Sequence, residues 1–189
     1  VIDSQWLVVL NRGTDSNLII IDQELKIVKQ QQLPECGPHD VIRVSNQHLV
    51  ISCYNNNRLL SIDTETFIVK TVLDFSSYSD SDGMAELDQM YVYKNKLYIS
   101  MQALNRNNGW IPETNGTLVE IVDIASITKN DITPADSSIN RYELPCQNPF
   151  TNIVAADDSL ILGCAGNWSE ISYSSAGVVS FDTNSKQFT

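Results

Sequence analysis

The stretch Leu49-Val-Ile-Ser-Cys-Tyr-Asn-Asn-Asn-Arg-Leu-Leu-Ser-Ile-Asp63 holds a β-rich run, a polar turn and a second β-rich run closed by an aspartate. The same order recurs in Leu7-Val-Val-Leu-Asn11 to Ile19-Ile-Ile-Asp22, in Leu97-Tyr-Ile-Ser-Met101 to Val119-Glu-Ile-Val-Asp123, and in Leu160-Ile-Leu-Gly-Cys164 to Val178-Val-Ser-Phe-Asp182. Polar turns precede each first run, at Asp3-Ser-Gln5, Ser45-Asn-Gln47, Lys94-Asn-Lys96 and Asp157-Asp-Ser159. A further β-rich segment lies before three of these turns, as in Val41-Ile-Arg-Val44, and an outer one such as Phe67-Ile-Val-Lys-Thr-Val72 follows the closing aspartate. Each unit therefore reads as four antiparallel strands, a to d.

Leu49 follows Leu7 by 42 positions and Asp63 follows Asp22 by 41, the length of one four-stranded propeller blade. None of the runs has the 3.6-residue periodicity that a helical solenoid requires. A β-sandwich also uses short strands with frequent turns, but it does not call for the same turn, strand, loop, strand and Asp at matching places. The expected fold is an all-β propeller of four-stranded antiparallel blades. About four blades are present, in units near 1–33, 37–75, 88–145 and 150–189.

The segments Gly37-Pro-His-Asp-Val41, Leu49-Val-Ile-Ser-Cys-Tyr-Asn-Asn-Asn57 and Leu60-Ser-Ile-Asp-Thr64 resemble the YVTN-type repeat propellers, bacterial cell-surface and periplasmic proteins. The likeness is strongest over residues 33–75. It implies a ring of seven or so blades, hence more blades than this chain holds, with a closed four-bladed ring as the alternative. Fold membership of this kind does not fix a function.

The four cysteines come in two equivalent pairs, for Leu160 and Cys164 lie 111 positions after Leu49 and Cys53, and Cys146 lies 110 after Cys36. In each pair one cysteine enters strand a and the other closes the antiparallel strand b, which brings them within bridging distance. Disulfides Cys36–Cys53 and Cys146–Cys164 are expected, and with them a periplasmic, cell-surface or secreted location. Four reduced thiols would be the intracellular alternative, and the spacing does not suit structural zinc. The third unit is expected to set Met84 and Met101, an apolar pair, where the others bond.

The formal net charge of −11 repels phosphate backbones, and there is no Lys/Arg cluster, so nucleic acid is not an expected partner. No run approaches the roughly 18 apolar residues of a membrane span, so no membrane insertion is expected.

Irregular length collects at residues 76–88, 102–117, 124–151 and 165–177, mostly the d-to-a and b-to-c loops that share one face of a propeller. Long loops gathered on a rigid scaffold are where binding resides. Arg106, Asn107 and Trp110 offer a cation, an amide and an indole suited to a protein or glycan ligand, and Trp168 and Tyr173 extend that face. The bland reading is that these aromatics pack and the asparagines make turns. Asp80, Asp82, Glu86 and Asp88 could supply hard oxygen ligands to calcium. The spacing departs from an EF-hand, however, and solvated turn acids explain the cluster more simply. His39 and Asp40 begin a strand a near the central channel. With His48 in a turn on the opposite face, His39 has no histidine partner and is expected to fix its loop.

The expected function is a non-catalytic binding or scaffolding propeller with no required cofactor, with further blades or a larger assembly as the expected partners beside its ligand. The alternative is a propeller enzyme, lactonase-like or metal-dependent, with its site at the channel mouth and no catalytic residue identified from sequence.

Overall fold

The computed structural model describes residues 7–11, 16–129, 138–169 and 174–189. The Asp3-Ser-Gln5 turn and Tyr173 lie outside them, as do parts of the loops 124–151 and 165–177.

Four antiparallel sheets follow one another along the chain. The first contains β1 (Leu7–Asn11), β2 (Asn17–Ile21) and β3 (Ile27–Gln32), in that order. The second is β4 (Pro38–Arg43), β5 (His48–Cys53), β6 (Arg58–Asp63) and β7 (Val69–Asp74). The third is β8 (Leu87–Tyr93), β9 (Lys96–Met101), β12 (Thr117–Ile121) and β13 (Ile139–Glu143). Its b-to-c connection carries a small hairpin, β10 (Leu104–Asn105) with β11 (Ile111–Pro112). The last sheet is β14 (Val154–Ala156), β15 (Ser159–Cys164), β16 (Gly177–Asp182) and β17 (Gln187–Phe188). This is the meander of propeller blades, with the first sheet described from strand b onward.

Sequence pattern follows burial. In β5 every residue after His48 is buried, because neighbouring sheets cover both faces, so the run is apolar except for Ser52, whose hydroxyl donates to the Asp88 carbonyl at 2.8 Å. Ile51 packs with Leu18 and Ile20 of the first sheet, whereas Val50 packs with Leu97 and Ile99 of the third. The third and fourth sheets share a cluster around Tyr98, Leu118, Leu160 and Phe181. The core is thus a series of seams between sheets, each filled from both sides.

The recurring aspartates have a local cause. Asp22, Asp63, Asp123 and Asp182 each accept backbone N–H bonds from residues two to four positions ahead, folding the turn that leaves strand c. In the third blade that turn leads into α1 (Ile124–Lys129), and β13 then divides residues 124–151 into a c-to-d connection and a d-to-a loop. Part of this irregular length therefore belongs to the face opposite the other long loops. No helix among the described residues is long and apolar enough to cross a membrane.

Both disulfides form, Cys36–Cys53 with 4.6 Å between Cα atoms and Cys146–Cys164 with 6.0 Å. In the third blade the ladder pairs Leu87 with Met101 as it pairs Pro38 with Cys53, so Ala85 occupies the place of Cys36. Met84, the residue expected there, sits one position earlier.

Candidate functional site

Strand a of the second, third and fourth blades is entered through one backbone device. Gly37, Glu86 and Asn148 each take a left-handed conformation, with φ of 54°, 44° and 54°, just before Pro38, Leu87 and Pro149. Their carbonyls accept the N–H groups of Tyr54, Gln102 and Ala165 at the ends of the b strands. A side chain on Gly37 would collide with Asn55, which explains glycine there. Glu86 lacks that freedom and is held in the same conformation while wholly buried, a strain tolerated where the surroundings over-determine it.

This shared frame makes His39 and Asp88 equivalent residues of adjacent blades, and likewise Tyr54 and Gln102. The four form a closed loop across the seam. His39 Nδ1 lies in direct contact with Asp88 Oδ1, although the geometry is not that of an aligned hydrogen bond. Gln102 Nε2 donates to Asp88 Oδ2 at 2.7 Å, Tyr54 Oη donates to Gln102 Oε1 at 2.5 Å, and the Tyr54 ring stacks on His39 at 4.7 Å. Asp88 is wholly buried. Asp40 bridges the same seam by accepting the Met90 N–H at 2.7 Å; burial raises its pKa, against the Met90 and Val41 N–H bonds that lower it.

Outside this loop Arg106 is the organising cation. Its Nε donates to Glu86 Oε1 at 3.0 Å, its terminal nitrogens to the Tyr54 carbonyl at 2.5 Å and Asn55 Oδ1 at 3.2 Å, and its backbone N–H to Asp82 Oδ2 at 2.6 Å. The guanidinium lies 5.1 Å from the Tyr54 ring centre and 5.0 Å from that of Trp110. Burial pushes Glu86 up to about 7, opposed by the Leu104 N–H and Arg106 and reinforced by Asp80 and Asp82. Trp110 stacks on Tyr54 at 6.2 Å, remains 41% exposed, and takes a φ of 65° directly after Gly109 at 68°. Two successive left-handed residues turn the hairpin so that the indole meets the stack.

The structure thus brings Arg106, Trp110, His39, Asp40, Glu86 and Asp88 into one neighbourhood. Asn107 is exposed in the turn of the same hairpin, while Trp168, 43% exposed, shows no ring contact with Trp110. The four acids weighed as possible calcium ligands have separate partners: Asp80 receives the Asp82 N–H, Asp82 the Met84 and Arg106 N–H groups, Glu86 the Leu104 N–H and Arg106, and Asp88 accepts from Gln102 and lies against His39. Among the described residues no three His, Cys, Asp or Glu side chains are grouped to hold a metal ion. Sequence reading missed Tyr54 and Gln102, and it left His39 without a partner. The signal lay in their equivalent positions one residue past the ends of two b strands.

No protein-family model matches the chain, and no curated protein matches it. Solved structures do. Virginiamycin B lyase from Staphylococcus aureus aligns over the whole chain and 52% of its own length at 14% identity, with a TM-score of 0.60. Hydrazine synthase from Kuenenia stuttgartiensis aligns over 96% of the chain and 49% of its own at 14% identity, with a TM-score of 0.66. A puromycin hydrolase gives 98% and 26% coverage, 9% identity and a TM-score of 0.55. The chain spans about half the length of the first two. At these identities the likeness is one of fold, and that fold is the β-propeller.

Proposed function

We propose that this chain is a binding module of an extracytoplasmic propeller of the YVTN kind, completed by further blades, which engages a glycan or protein through its loop-bearing face. The observation carrying this reading is Trp110. It is an exposed indole on a strained left-handed backbone, seated against Tyr54 and Arg106, the latter held in turn by the buried Glu86. A rigid amphipathic ring next to the amide of Asn107 suits a sugar face or a polypeptide hot spot. The two disulfides support an oxidising compartment.

A second reading has an observation of its own. A buried Asp88 beside His39 Nδ1, with no hydrogen bond on the other ring nitrogen among the described residues, is an arrangement that can accept a proton from a bound substrate. One comparison separates the two. A glycan array and an envelope-extract binding assay are run with the native chain, Trp110→Ala and His39→Gln, beside a panel of lactones and esters. The binding reading expects affinity to fall about tenfold or more in Trp110→Ala and no turnover. Turnover that disappears in His39→Gln while Trp110→Ala retains it would replace the first reading by the second.

A further inference from the structure

The third blade lacks the crosslink of its neighbours, and a cavity of about 200 Å³ stands in that place. Ala85 and Met101, the equivalents of Cys36 and Cys53, line it together with Met84, which gives it an apolar floor. Two charged groups of opposite sign also line it. Asp80 comes from the d-to-a loop; its Oδ1 accepts the Asp82 N–H at 3.1 Å, but its buried Oδ2 has no hydrogen-bond partner among the described residues. Arg141 comes from β13, where the second blade has Thr71 in the corresponding register. Its guanidinium lies 4.7 Å over the ring of Tyr78, which also borders the cavity, and no carboxylate of the described residues pairs with it.

An unpartnered buried carboxylate oxygen is costly, and a cation placed against it removes that cost. Burial, together with the neighbouring negative charges of Asp82 and Glu113, raises Asp80 to about 6, a penalty on its charged form that an adjacent cation would relieve. Arg141 is stacked but leaves its donor edges open, suiting a carboxylate. A simple amine would satisfy only Asp80, a fatty or aromatic acid only Arg141, and a phosphate would be repelled by the acidic wall. The volume is below the roughly 300–1,000 Å³ of drug-sized pockets, which limits the occupant to a single small molecule.

We propose that this cavity binds a free α-amino acid with a medium-sized apolar side chain, its ammonium on Asp80, its carboxylate on Arg141 and its side chain against Met84 and Met101. The site is independent of Trp110 and of the ligand proposed for the loop face.

The test is saturation-transfer NMR with calorimetry on the native chain, using L-leucine, L-leucine methyl ester and N-acetyl-L-leucine. Leucine binds, and each blocked form binds about tenfold more weakly, the loss expected for one charge-assisted hydrogen bond. Arg141→Gln, a change on the exposed outer strand, removes the preference for leucine over its methyl ester. Asp80→Asn, which keeps the Oδ1 acceptor of the loop turn, removes the preference over N-acetyl-leucine. Trp110→Ala leaves all three affinities unchanged. The proposal is overturned if the blocked forms bind as tightly as leucine, if Arg141→Gln still discriminates, or if no saturable binding is found up to about 10 mM.

Discussion

The second and fourth blades and the third solve one problem by different chemistry. Where strand a begins beside the end of strand b, the second and fourth blades close the junction with a disulfide. The third has Ala85 and Met101 there, and it also holds Glu86, Asp88 and Glu120, the three wholly buried acids among the described residues. Glu120 accepts from Lys186 Nζ at 2.6 Å, Lys96 Nζ at 2.8 Å, Tyr98 Oη at 2.8 Å, Tyr142 Oη at 2.9 Å and Asn140 Nδ2 at 3.0 Å, with Lys186 reaching in from the fourth blade. A covalent link needs only geometry, whereas a buried carboxylate needs every donor in place. The difference teaches that the crosslinked blades can be closed locally, while the third depends on side chains from its neighbours. That dependence puts both the polar loop of His39 and the cavity at the third blade.

The largest expected effect comes from breaking the ionic side of this contrast. Glu120→Ala leaves two lysines without their shared acceptor and should cost about 3 kcal/mol or more in urea unfolding. Burial alone would raise the pKa of Glu120, but Lys186, Lys96 and the two tyrosines outweigh it and hold the group at about 2, below its ordinary 4.5. Its stabilisation is therefore complete above pH 4.5 and is lost as the pH falls toward 2. A flat urea midpoint across that window would remove Glu120 from the account. Glu86 has the opposite sign: with its pKa raised to about 7, its contribution is complete below 4.5 and fades as the pH rises through 7.

Breaking the covalent side comes next. Replacing Cys36 and Cys53 together by alanine opens a loop with a sequence separation of 17 and should cost about 3 kcal/mol. Reductant in the native chain opens Cys146–Cys164 as well and should lower the urea midpoint further, and neither fall should follow acid pH, unlike the Glu120 effect. The smallest effect sharpens the equivalence itself. Ala85→Cys with Met101→Cys should form a third disulfide, seen as a mass loss of two hydrogens, and raise stability by about 1–2 kcal/mol. It should also abolish leucine binding by closing the cavity. Two free thiols in an otherwise folded variant would show that Ala85 and Met101 do not occupy the crosslink position.

Much of this architecture was legible because its causes are local or repeated. Leu49 to Asp63 shows both β-rich strands and the aspartate that folds the following turn, and internal alignment with antiparallel strand pairing joined Cys36 to Cys53. The same alignment set Met84 where Ala85 belongs, because a longer loop before Leu87 hides the register that the ladder with Met101 fixes. Asp80, Asp82, Glu86 and Asp88 read as a single acidic cluster along the chain. In space they separate, since each carboxylate is satisfied by whichever donor the neighbouring loops deliver.

Residue order by itself determined the blades, their strand order and the two crosslinks, since β-rich runs, turn chemistry and antiparallel pairing act over a few positions and recur. Only the tertiary structure decided that His39 would meet Asp88, that Arg106 would join Glu86 to the Tyr54 carbonyl, and that Arg141 and Asp80 would border one cavity. Those meetings lie across seams between sheets or between a loop and a distant strand, where contact depends on the angle at which blades pack and no short-range preference records it.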